Sequence, residues 1–212
     1  MPGGEEKTKS SGESKSEVEK TTIESLPDDL RCHILSFLLT RDAAATSLMS
    51  KKWKPLWLSL RSFEFSTIYF TDFGKFSDFV TSVLSSLHSV PSLRLSCYCC
   101  SPFKVVDVNQ FLYQVALQGI QELHLHLFTY STILPNGFCK NLVTLELHHA
   151  SLNYFSCVDF PLIKSLSLIF VNFESHAVMF KFLSGCPNLE YLDARHLDVI
   201  NSDIPTVFFT LT

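Results

Sequence analysis

Hydrophobic positions divide the chain into a start without large apolar side chains, a helical stretch, and a long region where helical and strand periods alternate. Residues 1–22 contain no aromatic, Leu or Ile side chain. Such a segment buries too little surface to offset the entropy of ordering, which predicts a disordered tail over residues 1–23. From Leu26 the period becomes helical. Leu30, Ile34 and Leu38 fall four apart, Leu35 and Phe37 widen the stripe, Pro27 occupies the first turn, and Asp28 and Asp29 sit at the positive end of the helix dipole. A second helix is predicted from Thr40, a suitable N-cap, through "AAATSLMSKKW", with Pro55 forcing a break or a new start.

Beyond residue 73 helices and strands alternate. Phe76, Phe79, Val80, Val83, Leu84 and Leu87 predict one helix, and Pro91 closes it before the strand-like "SLRLSCYC". Val108, Phe111, Leu112 and Val115 predict another, with Gly119 as its C-cap before the strictly alternating "IQELHLHLF". A self-similar pattern organises this region: Ile120-Leu123-Leu125, Leu142-Leu145-Leu147, Ile163-Leu166-Leu168 and Leu189-Leu192-Ala194. The central leucines are separated by 22, 21 and 26 residues, intervals that fit a leucine-rich repeat with one insertion. "SLRLSC" reads as an earlier, degenerate strand of the same stack, and "SHAVMFKFLSGCPN" as a covering helix ended by Gly185 and Pro187. The predicted fold class is α+β. Three N-terminal helices precede a short solenoid of parallel strands whose Leu-x-Leu side chains point inward.

Side chains alternating with those leucines should line the opposite, concave face: Arg94, Ser96 and Tyr98; Glu122, His124 and His126; Thr144, Glu146 and His148; Ser165, Ser167 and Ile169; Tyr191, Asp193 and Arg195. Neighbouring strands lie about 4.8 Å apart, so His124 should neighbour Glu146, and His126 should neighbour His148. The substrate-face candidates are His124, His126, Glu146, His148, Ser167, Asp193 and Arg195. The bland reading is a solvated polar face. No metal is assigned, because the two stacked histidines lack an evident fixed third ligand.

Composition narrows the classes. With 46% apolar residues the chain is globular, and its net charge of -4 is mild. Residues 24–62 carry six Lys/Arg against four Asp/Glu, and residues 63–212 carry seven against twelve, which points neither to a nucleic-acid face nor to a polyacid. The N-terminus has no apolar signal core, and no apolar run approaches the ~18 residues that span a bilayer, so a soluble protein of the nucleus or cytoplasm is expected. Seven cysteines, with Cys97, Cys99 and Cys100 clustered, fit reduced thiols better than a disulfide framework or a CxxC zinc site. There is no Gly-rich phosphate loop, HExxH or GxSxG, and no cysteine sits in a nucleophile context. Neither an enzyme nor a cofactor is expected.

The stretch "SLPDDLRCHILSFLLTRDAAATSLMSKKWKPLW" is short for a core of its own, since modules of about 40 residues need a staple or a partner. Its surplus apolar residues therefore read as half of an interface. Leu26-Pro27-Asp28-Asp29, "ILSFL" and "TRDAAATSLMSKKWKPLW" resemble the F-box of plant F-box/leucine-rich-repeat proteins, of the type that often also bears an FBD domain. "FVTSVLSSLHSVPSLRLSC", "ALQGIQELHLHL", "LVTLELHHASL" and "LSGCPNLEYLD" resemble the repeat region of the same proteins. Leu39, Ala45 and Pro55 depart from the family's usual residues, and no FBD domain is expected in this chain.

The resemblance implies a tail at residues 1–23, an F-box at 24–62, degenerate leucine-rich repeats at 63–199 and a divergent tail at 200–212. It implies a substrate receptor of a Skp-cullin-F-box ubiquitin ligase. In that role the F-box holds a Skp-type adaptor through Leu26, Pro27, Ile34, Leu35, Leu38, Leu48, Trp53, Leu56 and Trp57, and the repeats hold a protein substrate. The rivals are a regulatory or decoy form without a competent substrate surface, and an adaptor-independent leucine-rich-repeat interaction module.

Overall fold

The computed structural model describes residues 22–98, 112–113, 115, 119–127, 140–152 and 159–201. Residues 1–21 of the tail expected at 1–23, residues 202–212 of the tail expected at 200–212, the helix positions Val108 and Phe111, and Cys99 and Cys100 lie outside the described residues, whereas Ile23 opens a 3-10 turn, Ile23–Ser25.

Three short helices open the fold: α1 (Asp28–Leu35), α2 (Thr40–Ala45) and α3 (Trp53–Leu58). Pro27 stands at the N-cap position of α1, where its missing N–H costs nothing, and Asp28 and Asp29 fill the first turn. The helix stops at Leu35, earlier than the Leu30/Ile34/Leu38 spacing predicts, because a turn at Ser36 takes over: its hydroxyl donates to the His33 carbonyl at 2.7 Å. Leu38 lies past that turn and is exposed.

The predicted second helix is likewise shorter, passing into a 3-10 turn over Thr46–Leu48. Thr40 is its first residue rather than its N-cap, and its buried hydroxyl faces outward from the helix to accept the Glu64 amide at 2.7 Å. Pro55 sits in the first turn of α3, so it marks a new start, at a place where its lack of an N–H is harmless.

From Ser62 the chain builds a six-stranded, wholly parallel sheet in the order β1-β2-β3-β4-β6-β8: β1 (Ser62–Ser66), β2 (Ser92–Cys97), β3 (Glu122–Leu127), β4 (Thr144–His148), β6 (Ser165–Ile169) and β8 (Tyr191–Arg195). A narrower sheet, β5 (Ser151–Leu152), β7 (Asn172–Phe173) and β9 (Asp198–Val199), runs beside it, also parallel. Parallel neighbours need crossover connections. The β1–β2 crossover contains α4 (Phe73–Ser86), capped by the Asp72 carboxylate on the Lys75 amide at 2.9 Å. The β7–β8 crossover contains α5 (His176–Ser184), capped by Ser175. Phe76, Val80, Val83 and Leu84 are the buried face of α4, as the spacing predicts.

The register aligns two apolar columns across all six strands. Phe63, Leu93, Leu123, Leu145, Leu166 and Leu192 form one; Phe65, Leu95, Leu125, Leu147, Leu168 and Ala194 form the other. All are buried except the half-buried Leu192. Period-two alternation sends these side chains to one face, and parallel stacking places each above its equivalent.

Strand β1, like the short β5, β7 and β9, is an element that sequence periodicity missed. It carries Phe in place of Leu, yet it continues both columns and ties them to the helices: one contiguous apolar cluster runs from Leu35 and Trp53 through Phe63 and Leu145 to Leu197. No helix among the described residues is long and apolar enough to cross a membrane.

Three strands end in the same unusual backbone. His149, Phe170 and His196 follow β4, β6 and β8 with φ of 54°, 54° and 53°, in the left-handed region that non-glycine residues rarely adopt. Their rings form a continuous stack: His149 on Phe170 at 4.8 Å and 3°, and Phe170 on His196 at 4.4 Å and 6°. The amides keep step, His149 donating to the Ile169 carbonyl and Phe170 to that of Arg195, both at 3.0 Å.

Candidate functional site

Two surfaces collect the residues singled out in the sequence. The first is the outer face of the helical module. Leu48 is 90% exposed, Phe37 76% and Met49 74%, with Leu30, Leu38 and Pro27 also exposed and Leu26 and Ile34 half-buried. A monomer rarely leaves so many large apolar side chains in the open within one short module.

The other expected surface residues are corrected by the structure. Leu35, Trp53, Leu56 and Trp57 are buried in the chain's own core. The physical reason is that the helices must close on something before they can present a face. The Arg31 guanidinium lies over the Trp53 ring, 5.6 Å from its centroid, and pairs with Asp28. The Trp57 indole N–H donates to Ser47 Oγ at 2.7 Å. Phe37 and Met49, not singled out as contact residues, take the exposed places instead.

The second surface is the polar face of the large sheet. The register confirms both expected neighbours, His124 beside Glu146 and His126 beside His148. One row across the strands reads Glu64, Arg94, His124, Glu146, Ser167, Asp193; the next reads Ser66, Ser96, His126, His148, Ile169, Arg195. Asp193 and Arg195, two apart on β8, form a two-point ion pair, with Arg195 Nε 2.7 Å from Asp193 Oδ1. Ser167 lies between Glu146 and Asp193 with no charged group of its own.

Glu146 is the hub of the cluster. Its Oε2 contacts His124 Nδ1, and its Oε1 lies 2.8 Å from His148 Nε2 and 3.8 Å from His126 Nε2. The His126 and His148 rings stack, 4.3 Å between centroids and 16° from parallel. The Glu146–His148 approach is close but not aligned as a hydrogen bond, so both Nε2 atoms are buried without a hydrogen-bond partner.

Burial works to raise the Glu146 carboxyl, but the His124 hydrogen bond and the charges of His124, His148 and His126 outweigh it and hold it below the usual carboxylate range. Burial, followed by the neighbouring His148, pushes His126 down despite the opposing pull of Glu146. The absence of a third ligand beside the two histidines, expected from spacing alone, is corrected: Glu146 reaches both. Three donor atoms, one each from His126, Glu146 and His148, lie within 4.8 Å of one another.

Among the described cysteines, Cys97 and Cys186 are buried and Cys32 is half-buried. Cys32 Sγ lies 3.9 Å from the Leu56 carbonyl, a packing role within the helical module.

The F-box domain family matches residues 23–65, the segment that forms the three helices and β1. An F-box/LRR-repeat protein of Arabidopsis thaliana is 34% identical over 186 residues, covering 82% of this chain and 49% of the relative. An F-box/FBD/LRR-repeat protein of the same plant is 32% identical over 194 residues, covering 87% and 46%. A further F-box/LRR-repeat protein is 31% identical over 194 residues, covering 86% and 40%. The chain thus spans about half or less of the length of these relatives. It carries an F-box domain match on its helical module and is similar over most of its own length to plant F-box/leucine-rich-repeat proteins.

Proposed function

We propose that this chain is a substrate-receptor subunit of a Skp-cullin-F-box ubiquitin ligase, acting in the nucleus or cytoplasm. The observation that carries the reading is the F-box match on a helical module that leaves Phe37, Leu38, Leu48 and Met49 exposed. F-box domains bind Skp-type adaptors, and an apolar face of this kind supports docking on one. The strand stack, with its Leu-x-Leu columns and 21- to 26-residue intervals, is read as a short leucine-rich-repeat solenoid over residues 63–199. Its polar face, carrying His124, His126, Glu146, His148, Ser167, Asp193 and Arg195, is the surface for a protein substrate.

The mechanism is positioning. The receptor makes and breaks no bond; it raises the effective concentration of a substrate lysine beside the charged ubiquitin-conjugating enzyme. The decisive test is association of the purified full chain with a Skp-type adaptor, against an authentic F-box protein as control. Binding comparable to the control supports the role. No association by the intact chain, while the control binds, overturns it.

A further inference from the structure

We propose that His126, Glu146 and His148 form a binding site for one divalent ion of the zinc class, independent of the adaptor-binding reading. The fold brings the three together by register alone. His126 and His148 are direct partners on β3 and β4, and Glu146, two residues before His148, projects from the same face. Their donor atoms converge within 4.8 Å. Zinc binds imidazole nitrogen and carboxylate oxygen at about 2.0–2.2 Å, which sets donors roughly 3.4 Å apart around a tetrahedral ion; the widest separations close toward that value, and the 2.8 Å Glu146–His148 approach opens slightly. Binding requires the two stacked imidazoles, now 16° from parallel, to rotate so that both Nε2 lone pairs point at one ion.

Two further observations favour an ion over a simple polar cluster. Both Nε2 atoms are buried with no hydrogen bond, their polar contact being the approach to Glu146 Oε1, although buried polar atoms in a finished site are satisfied. A cation between them and Glu146 Oε1 gives each nitrogen lone pair an acceptor of electron density at once. The second is His124, whose Nδ1 holds Glu146 by its other oxygen, the outer contact that orients a metal-binding carboxylate.

The donor set itself selects the ion. Two imidazoles and one carboxylate suit zinc and its neighbours, whereas calcium and magnesium require mostly oxygen. Three protein ligands leave the fourth corner open on the polar face of the sheet, to water or to a donor from a docked chain.

The experiment uses the full chain, stripped with a chelator and titrated with Co²⁺ and then Zn²⁺, followed by cobalt absorption and calorimetry. The expected result is one Co²⁺ per chain with d–d bands and no thiolate charge-transfer band, displaced by one Zn²⁺. His126→Asn, His148→Asn and Glu146→Gln should each weaken binding about 10-fold or more, and His124→Asn by about 10-fold. His88→Asn, at an exposed turn outside the cluster, should leave it unchanged. Far-UV circular dichroism of each metal-free variant checks folding, and Glu146→Gln, which keeps shape and volume, carries the test if a histidine variant misfolds. A thiolate band, or equal affinity in the parent chain and Glu146→Gln, overturns the proposal.

Discussion

The Thr40 hydroxyl accepts the Glu64 amide at 2.7 Å, joining the first residue of α2 to the edge strand of the sheet. An edge strand presents unpaired amides, and here one of them is answered by a helix side chain. Thr40→Val keeps the shape and removes the acceptor. It should lower stability by about 1 kcal/mol in urea unfolding, with Thr40→Ser restoring most of the loss.

The split between exposed and buried apolar residues in the helical module separates docking from folding. Leu48→Asp with Met49→Asp should reduce affinity for a Skp-type adaptor about 10-fold or more while leaving the thermal midpoint nearly unchanged, since surface changes are usually worth within about 0.5 kcal/mol of stability. Leu35→Ala should instead cost about 2–5 kcal/mol of folding stability. Surface plasmon resonance and thermal unfolding on the same variants check both halves. Loss of folding in the Leu48/Met49 variant would place those residues in the core and contradict their exposure.

The aromatic stack inverts an ordinary order of substitution. Phe170→Ala loses two ring contacts, each worth about 0.5–1.5 kcal/mol, and keeps the strain of φ 54°. Phe170→Gly loses the same contacts but relieves the left-handed strain, about 1 kcal/mol. The glycine variant should therefore be the more stable of the two, whereas glycine is the poorer residue in regular structure. Chemical denaturation of the pair decides it.

Asp72 gives a pH dependence with a defined sign. The Lys75 amide hydrogen bond, assisted by the Lys75 side chain and Thr71 against the opposing effect of burial, holds its carboxyl below the ordinary value of 3.8. A carboxyl depressed on folding stabilises the protein above its unfolded pKa, and that contribution fades as pH falls through the folded value. Asp72→Asn keeps an acceptor for the cap but cannot ionise. The stability difference between parent and variant should be constant near neutrality and shrink below about pH 4, as followed by urea unfolding across pH.

Much of the sheet was legible because its side chains repeat. Leu-x-Leu at intervals of 21 to 26 residues fixed the apolar columns, and the same arithmetic placed His124 beside Glu146. What escaped had no repeat to betray it. Strand β1 uses Phe63 and Phe65, and its partner strand begins 30 residues later, outside the leucine spacing. The left-handed positions are occupied by His and Phe, where sequence reading looks for Gly or Asn. The reach of Glu146 to both histidines depends on torsions that register does not specify. In the helices, brevity marked an apolar surplus and left room for Trp53 and Leu56 to pack inward, but it did not separate the buried Trp57 from the exposed Phe37 and Met49.

The junction at β1 carries one more implication. Phe63 and Phe65 belong at once to the apolar cluster that includes Leu35 and Trp53 of the helices and to the sheet's first columns, so the helical module and the sheet share one core. In the proposed receptor role, a shared core of this kind favours aiming a substrate over swinging it on a tether. In the proposed ligase, the lysines within range would then be chosen by the direction in which the polar face looks, and a flexible insertion before Ser62 would widen that arc at the expense of accuracy.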